Sequence, residues 1–553
     1  MNRKEVSEVK EESEPVVIQP ETQKADKDHN RLVWITLIVG LVVNYLFYRK
    51  PIGISYPIFV LVFYGVFLRL LQKRISYKWD FGWFLTLPIV LLSCTYFFFS
   101  NRLLMGLNFF MIPVLMVAQT ILLTSENDFL WFDIRFLGDI FKAFFIKSFR
   151  YIGLFFTTLF KTNNVTSSKK GLSTGKKVLI GLAIALPILV VVLLLLVSAD
   201  AAFSQYMDKV FRWIERLNIA GLIRQLFVIV ISAMFLFSYL WSYLQSKKAS
   251  DSVAPKLSSN LQLDSVISIT VLSLLNLVYI AFVVFQFSYI FGGSLQKTLP
   301  PNYSYAEYAR SGFFEMLVVT LINFTLLGMG FIFKPHGGPA VKSLLKVLQT
   351  LLVICTIVML VSAFMRMSLY EAEYGFTYLR ILTQAFMIFL LVLFVIALMK
   401  IWNAGIGFLQ SFIVVSLVAY LIINYMNIDV IVTKKNLDRF TQTGQLDVDY
   451  LTELSYDSVP LVLHYFLMKD LPRGFNSLQM HQKLLISRFL TKKETSFRER
   501  NYDFNYLTSK EISEIIGSDR WQSFNLSKYR ARNAILKKLN LTYEEYLKYL
   551  ELK

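Results

Sequence analysis

The groups in this chain with chemical possibilities are carboxylates and guanidinium groups lying beside long apolar runs. An ionisable side chain at membrane depth is costly, so each one marks a candidate site. The densest cluster is Tyr305-Ala-Glu307-Tyr-Ala-Arg310-Ser-Gly312-Phe-Phe-Glu315, at the entry to an apolar segment. On a helix Glu307 and Arg310 stand three apart, and Glu315 lies one turn beyond Ser311. Glu315 is then expected to face the interior of a bundle, as a proton- or cation-responsive carboxylate. The plainer alternative is a structural ion pair, or an interfacial carboxylate that reaches back to water.

Asp200, in Val197-Ser-Ala-Asp200, follows another apolar run and is placed to cap the helix after it. Arg366 and Arg380 bracket an acidic stretch containing Glu371 and Glu373, and pairing between Arg366 and that stretch is the simplest expectation. Asn44, Asn108, Gln119, Asn276, Gln286, Asn323 and Asn424 fall within or at the ends of apolar segments, where amides usually bond from helix to helix.

Known catalytic patterns are missing. Gly171-Leu-Ser-Thr-Gly175-Lys-Lys lacks the spacing and the preceding strand of a phosphate-binding loop. His29, His336, His464 and His481 do not pair at metal-ligand spacing. Cys94 and Cys355 lie in apolar runs and form neither a disulfide framework nor a zinc cluster. The sequence therefore predicts no catalytic residues, no metal and no cofactor.

The elements that must hold these groups are long apolar helices. Hydrophobic residues make up 55% of the 553 and charged residues 17%, against about 25% charged in soluble domains. A bilayer core of about 30 Å needs roughly 20 apolar helical residues. Segments of that kind lie near 32–48, 52–71, 79–99, 103–124, 178–198, 221–245, 264–291, 311–333, 342–369, 375–400 and 405–426. The expected fold is thus all-α: a polytopic transmembrane bundle of about eleven spans over 32–426. Residues 1–31, polar and acidic, read as a disordered tail without the apolar core of a secretory signal. Residues 427–553 read as a helical domain outside the membrane. Segments near 131–160 and 202–217 mix charges into apolar sequence at helical spacing, as expected of helices lying in the headgroup plane. Pro88, Pro113 and Pro187 fall inside spans and are expected to kink them.

The net charge of +19 is explained by basic residues flanking spans on the cytoplasmic side, and no nucleic-acid partner is expected. With the N-terminus inside, the inner loops carry 18 basic residues and the outer loops eight. That asymmetry favours N-in, and with an odd number of spans the C-terminal domain lies outside. Lys434, Lys435 and Arg439 follow the last span closely and pull the other way, although long domains translocate regardless of charge.

Several strings also carry a resemblance. They include Val197-Ser-Ala-Asp200-Ala-Ala-Phe203, the 305–315 cluster, Tyr374-Gly375-Phe-Thr377-Tyr-Leu-Arg380, Asn427-Ile-Asp429 and Asn436-Leu-Asp-Arg439. Further strings are Leu446-Asp447-Val-Asp-Tyr450-Leu451, Leu454-Ser-Tyr-Asp457-Ser-Val-Pro460 and Trp521-Gln-Ser-Phe524-Asn525-Leu-Ser527 with Arg530-Ala531. In this order they resemble a bacterial multi-pass membrane family labelled domain of unknown function 4173. The resemblance implies a protein of the bacterial cytoplasmic membrane and brings no catalytic or ligand residues. Two functions are expected from the sequence. One is a non-enzymatic protein that senses or organises the envelope through its C-terminal domain, with a partner unspecified. The other is a secondary transporter with a carboxylate-lined polar path.

Overall fold

A computed structural model describes residues 20–77, 79–159, 203, 207, 219–245, 262–290, 313–332, 334–335 and 338–468, and then 521–539. Asp200, Glu307, Arg310, the 178–198 segment with Pro187, and nearly all of 202–217 lie outside the described residues. Among those that are described, the elements are helical apart from a two-residue parallel pairing of β1 (Gln262–Leu263) with β2 (Lys334–Pro335). Among the described residues nine helices are long and apolar enough to cross a membrane. These match nine of the eleven expected segments. The segment near 52–71 forms a 17-residue apolar helix, one residue short of the shortest of these, and the segment near 178–198 is the one outside the described residues.

The chain divides into two compact units. The first comprises residues 1–49, 69–71 and 143–247. In it α1 (Pro20–Phe47) packs along a long helix over Ile219–Gln245. A Cβ on Gly40 would stand 2.5 Å from the Ile229 carbonyl oxygen, so the close approach of these two backbones requires glycine. Ser238 on the long helix accepts from the Tyr151 N–H at 2.9 Å and donates to the Lys147 carbonyl at 3.1 Å. That pins the short helices Ser148–Arg150 and Ile152–Leu159 against it.

The second unit comprises residues 50–68, 72–142 and 248–553. It begins with α2 (Ser55–Leu71) up to Leu68, followed by α3 (Phe81–Phe84), α4 (Thr86–Phe98) and α5 (Arg102–Leu123). The Asp80 carboxylate caps α3 by accepting from the Gly82 and Trp83 N–H groups. Pro88 sits in the first turn of α4, where its missing N–H costs no helical bond, and Pro113 lies within α5. The segment near 131–160 is helical over Phe136–Phe141, continues through a π-helical stretch at Lys142–Lys147 into Ser148–Arg150, and resumes at Ile152–Leu159.

The apolar core of the unit is built by helices over Ser265–Ile290, Phe313–Ile332, Pro339–Tyr374 and Tyr378–Trp402, with Phe412 and Val415 of the following helix packed on it. These helices are α6 (Ser265–Ile290), α7 (Phe313–Ile332), α8 (Pro339–Tyr374), α9 (Tyr378–Trp402) and α10 (Phe408–Tyr425). Several polar groups inside this core bond from helix to helix. Tyr279 donates to Asn323 at 2.8 Å, Asn323 donates to Thr356 at 2.9 Å, and Asn276 donates to the Leu348 carbonyl at 2.9 Å. Gln119 does the same among α2 to α5, accepting from Tyr64 and donating to Thr86 and the Gly82 carbonyl. The amides therefore join helix to helix, as expected.

At 36 residues α8 is about 54 Å long, well beyond a bilayer core of about 30 Å. The acidic stretch with Glu371 and Glu373 falls between the segments near 342–369 and 375–400, where a loop is expected. Instead α8 runs unbroken to Tyr374, and only Gly375, Phe376 and Thr377 connect it to α9. The helices after residue 427 are α11 (Ile428–Thr443), α12 (Val448–Glu453), α13 (Val459–Met468) and α14 (Leu526–Leu539). Their own apolar cluster of Ile428, Val432, Leu437, Leu451, Val459, Val462 and Ala531 also contains Ile381 of α9. These helices thus share a core with the bundle end instead of standing apart from it.

Candidate functional site at the bundle end

One end of the second unit gathers the C-terminus of α4, the N-termini of α5 and α9, and the C-termini of α8 and α10. The loops 72–77 and 124–135 and the turn 403–407 belong to the opposite ends of these helices. Local sequence shapes the gathered end. Asn101 caps α5 by accepting from the Leu104 N–H at 2.9 Å. Thr377 caps α9 and Asp447 caps α12. Asn427, at φ 49°, takes the left-handed conformation as the N-cap of α11, directly after Met426, the C-cap of α10. Asparagine tolerates that region better than most side chains.

The Asp457 carboxylate ties the C-terminal helices to this end. One oxygen accepts from the Ser100 N–H and hydroxyl, each at 2.9 Å, and from Ser455 at 3.0 Å. Its other oxygen accepts from Asn427 at 3.3 Å. Asp429, buried, accepts from the Asn101 amide at 2.7 Å. The buried Asn525 amide donates to the Tyr96 and Phe99 carbonyls at 2.8 and 2.7 Å, and the Ser100 and Ser527 hydroxyls lie 3.0 Å apart. Beside them the Ile54 N–H donates to the Phe524 carbonyl at 2.9 Å. A Cβ on Gly53 would come within 2.5 Å of that same oxygen.

A second clamp holds the 375–377 connection. The Asn436 side chain accepts from the Phe376 N–H at 2.8 Å and donates to the Phe376 carbonyl at 2.7 Å, pairing with it as a neighbouring strand would. Arg439 donates to the Ala372 and Glu373 carbonyls. The Tyr450 hydroxyl accepts from the Tyr378 N–H at 2.6 Å, and burial pushes its pKa up. Lys528, in the first turn of α14, has its pKa pushed down by burial and, in second place, by the Arg102 guanidinium.

A narrow cleft opens beside Asp429, lined by Thr95, Asn101, Leu104, Asn424, Asn427 and neighbouring residues. Its void is about 300 Å³ when the solvent at its mouth is included, but the enclosed part has room for little more than one water molecule. Below it a polar node continues into the bundle. Asn108 donates to Thr95 at 3.0 Å and to Asn424 at 2.7 Å, and accepts from Tyr420 at 2.6 Å. Among the described residues no group of three or more His, Cys, Asp and Glu side chains is arranged to hold a metal.

Of the residues singled out in the sequence, Glu315, Arg366 and Arg380 are among the described ones. Glu315 is exposed at the start of α7 instead of facing the interior. Arg366 is half-buried in α8. Arg380 alone joins the seam, where its guanidinium donates to the Tyr374 and Gly375 carbonyls and lies 4.4 Å over the Tyr370 ring. Glu371, expected to pair with arginine, is buried and accepts from Gln384 at 2.6 Å. The seam residues Ser100 and Asn101 escaped attention because single polar residues at helix ends carry no motif. Asp429, Asn436, Asp457 and Asn525 did stand in the strings that carried the resemblance, and the structure brings those strings to one place.

A helix bundle of this composition, polar only at internal nodes and at one end, defines a membrane-embedded protein. The description "Domain of unknown function (DUF4153)" matches residues 86–465, and the chain belongs to that family. The match carries this label and not the 4173 label expected from the strings. No curated protein and no solved structure gives a significant match.

Proposed function

We propose that this chain is a non-enzymatic protein of the bacterial cytoplasmic membrane that senses or organises the envelope through its C-terminal helices. In this reading it has eleven spans, with the N-terminus inside and residues 427–553 outside. The observation that carries it is the convergence of Asp457, Asp429, Asn436 and Asn525 on the bundle end. Polar side chains are invested in fixing the tail against the spans, whereas Glu315 lies on the exposed surface. The basic-residue asymmetry of the loops supports the orientation.

The test is complementation of a deletion strain under envelope stress. A chain lacking 427–553 should fail to complement although it reaches the membrane, and Glu315→Gln should complement fully. Full complementation by the truncated chain would defeat the proposal. The alternative, a secondary transporter, is favoured by the cleft at Asp429 continuing into the Asn108–Asn424 node. It requires that Asn108→Ala abolish a solute flux while leaving the protein folded.

A further inference from the structure

Two cations stand on adjoining helix starts at the seam, one on each side of the contact between Ser100 and Ser527. Arg102 opens α5 and is exposed, and Lys528 is half-buried in α14. The contact between the Ser100 and Ser527 hydroxyls at 3.0 Å and the bond from Asn525 to the Phe99 carbonyl at 2.7 Å hold their two helix starts together. Neither cation has a carboxylate within 4.0 Å among the described residues. The carboxylates of the seam are engaged by neutral donors: Asp457 by Ser100, Ser455 and Asn427, and Asp429 by Asn101.

Like charges placed together repel, and the repulsion grows where water is excluded. Burial and Arg102 both weaken the hold of Lys528 on its proton. The nearest compensation is the Tyr456 ring, 5.6 Å from the ammonium, and a cation–π contact at that distance is weak. Such a pair is stable when an anion lies between its members.

The surroundings specify the anion. Arg102 is the first residue of a membrane-spanning helix, so its guanidinium lies at headgroup depth. Phe98 and Leu103 beside it are 40% and 49% exposed, and Phe524 and Trp521 across the seam are 38% and 49% exposed. Exposed aromatics at a span end mark the bilayer interface. A phosphate reaching these two cations would have its acyl chains alongside Phe98 and Leu103.

We propose that Arg102 and Lys528 form a binding site for the phosphate of an anionic lipid headgroup, which bridges α5 and α14. The inference stands apart from the envelope-sensing reading, since it needs only a membrane-embedded chain.

The test uses the full-length protein in nanodiscs of phosphatidylcholine, with and without phosphatidylglycerol, and reads the midpoint of thermal unfolding. Phosphatidylglycerol should raise the midpoint of the wild type, and the doubly substituted Arg102→Gln/Lys528→Gln chain should lose more than half of that rise. In phosphatidylcholine alone Lys528→Gln should be at least as stable as the wild type, because the repulsion is gone. Equal responses of wild type and double variant to phosphatidylglycerol would overturn the site. So would a loss of stability of Lys528→Gln in phosphatidylcholine, which would make the lysine a packing residue. If inorganic phosphate at millimolar concentration reproduces the rise, the site takes free anions and the lipid assignment fails.

Discussion

Ser100 gives both its backbone N–H and its hydroxyl to the same carboxylate oxygen of Asp457, 357 residues away, each at 2.9 Å. Hydrogen bonds to a charged group are worth more than neutral ones. Asp457→Ala is therefore expected to weaken docking of the C-terminal helices by about 2 kcal/mol, and Ser100→Ala, which keeps the N–H, by about 1 kcal/mol. Hydrogen exchange of amides 428–465 in the solubilised protein measures both. Unchanged protection in Asp457→Ala would mean that apolar packing alone holds the tail.

Asn108 sits at the centre of the deeper node, donating to Thr95 and Asn424 and accepting from Tyr420. Asn108→Leu should cost about 1–3 kcal/mol, because it strands buried partners. Asn424→Leu in the same background should then cost clearly less than it does alone, since two residues of one network do not add. Unfolding in mixed micelles gives both values, and strict additivity would show that the node is not coupled.

Gly375 combines φ 82° with a close neighbour: a Cβ there would lie 2.8 Å from the Asn436 Oδ1 that binds the Phe376 N–H. Gly375→Ala should cost about 1–2 kcal/mol from the backbone alone and loosen the 375–377 clamp as well. Faster proteolysis in that connection is the expected outcome. Asn436→Ala should loosen it too, while leaving the backbone unstrained.

Lys528 supplies a pH dependence with a definite sign. Its folded-state pKa lies below the ordinary 10.5, so the folded protein binds fewer protons than the unfolded one in the interval between the two values. Stability must rise with pH across that interval and be lost again as pH falls through the folded value. In neutral lipid the wild type should gain midpoint temperature on alkalinisation towards the ordinary lysine value relative to Lys528→Gln, which lacks the group. Parallel curves for the two proteins would show that the ammonium is solvated.

The spans were legible because hydrophobic length is a one-dimensional property: the runs near 79–99, 103–124 and 375–400 reappear as helices with shifts of only a few residues. The roles of Asn108, Gln119, Asn276, Asn323 and Asn424 were legible for a similar reason, since an amide inside an apolar run has few other uses. The end of α8 was not. Glu371 and Glu373 looked like a loop because charge suggests water, whereas the helix continues past the apolar stretch and buries Glu371 against Gln384. The seam was illegible as a site because it consists of single residues from distant segments, and their meeting is a property of packing. Glu315 was misplaced for the converse reason: helical spacing gives neighbours along one helix, not which face its bundle covers.

The single left-handed residue between α10 and α11 has a mechanical consequence. A module joined to the membrane by a long flexible linker can bind a partner without disturbing the spans. Here Asn427 leaves no slack, and Asp457, Asn436 and Arg439 brace the module at separate points. A pull or twist applied to the C-terminal helices is therefore borne directly by the last span and by the α8–α9 connection, as a load on a short stiff bracket is borne by the wall.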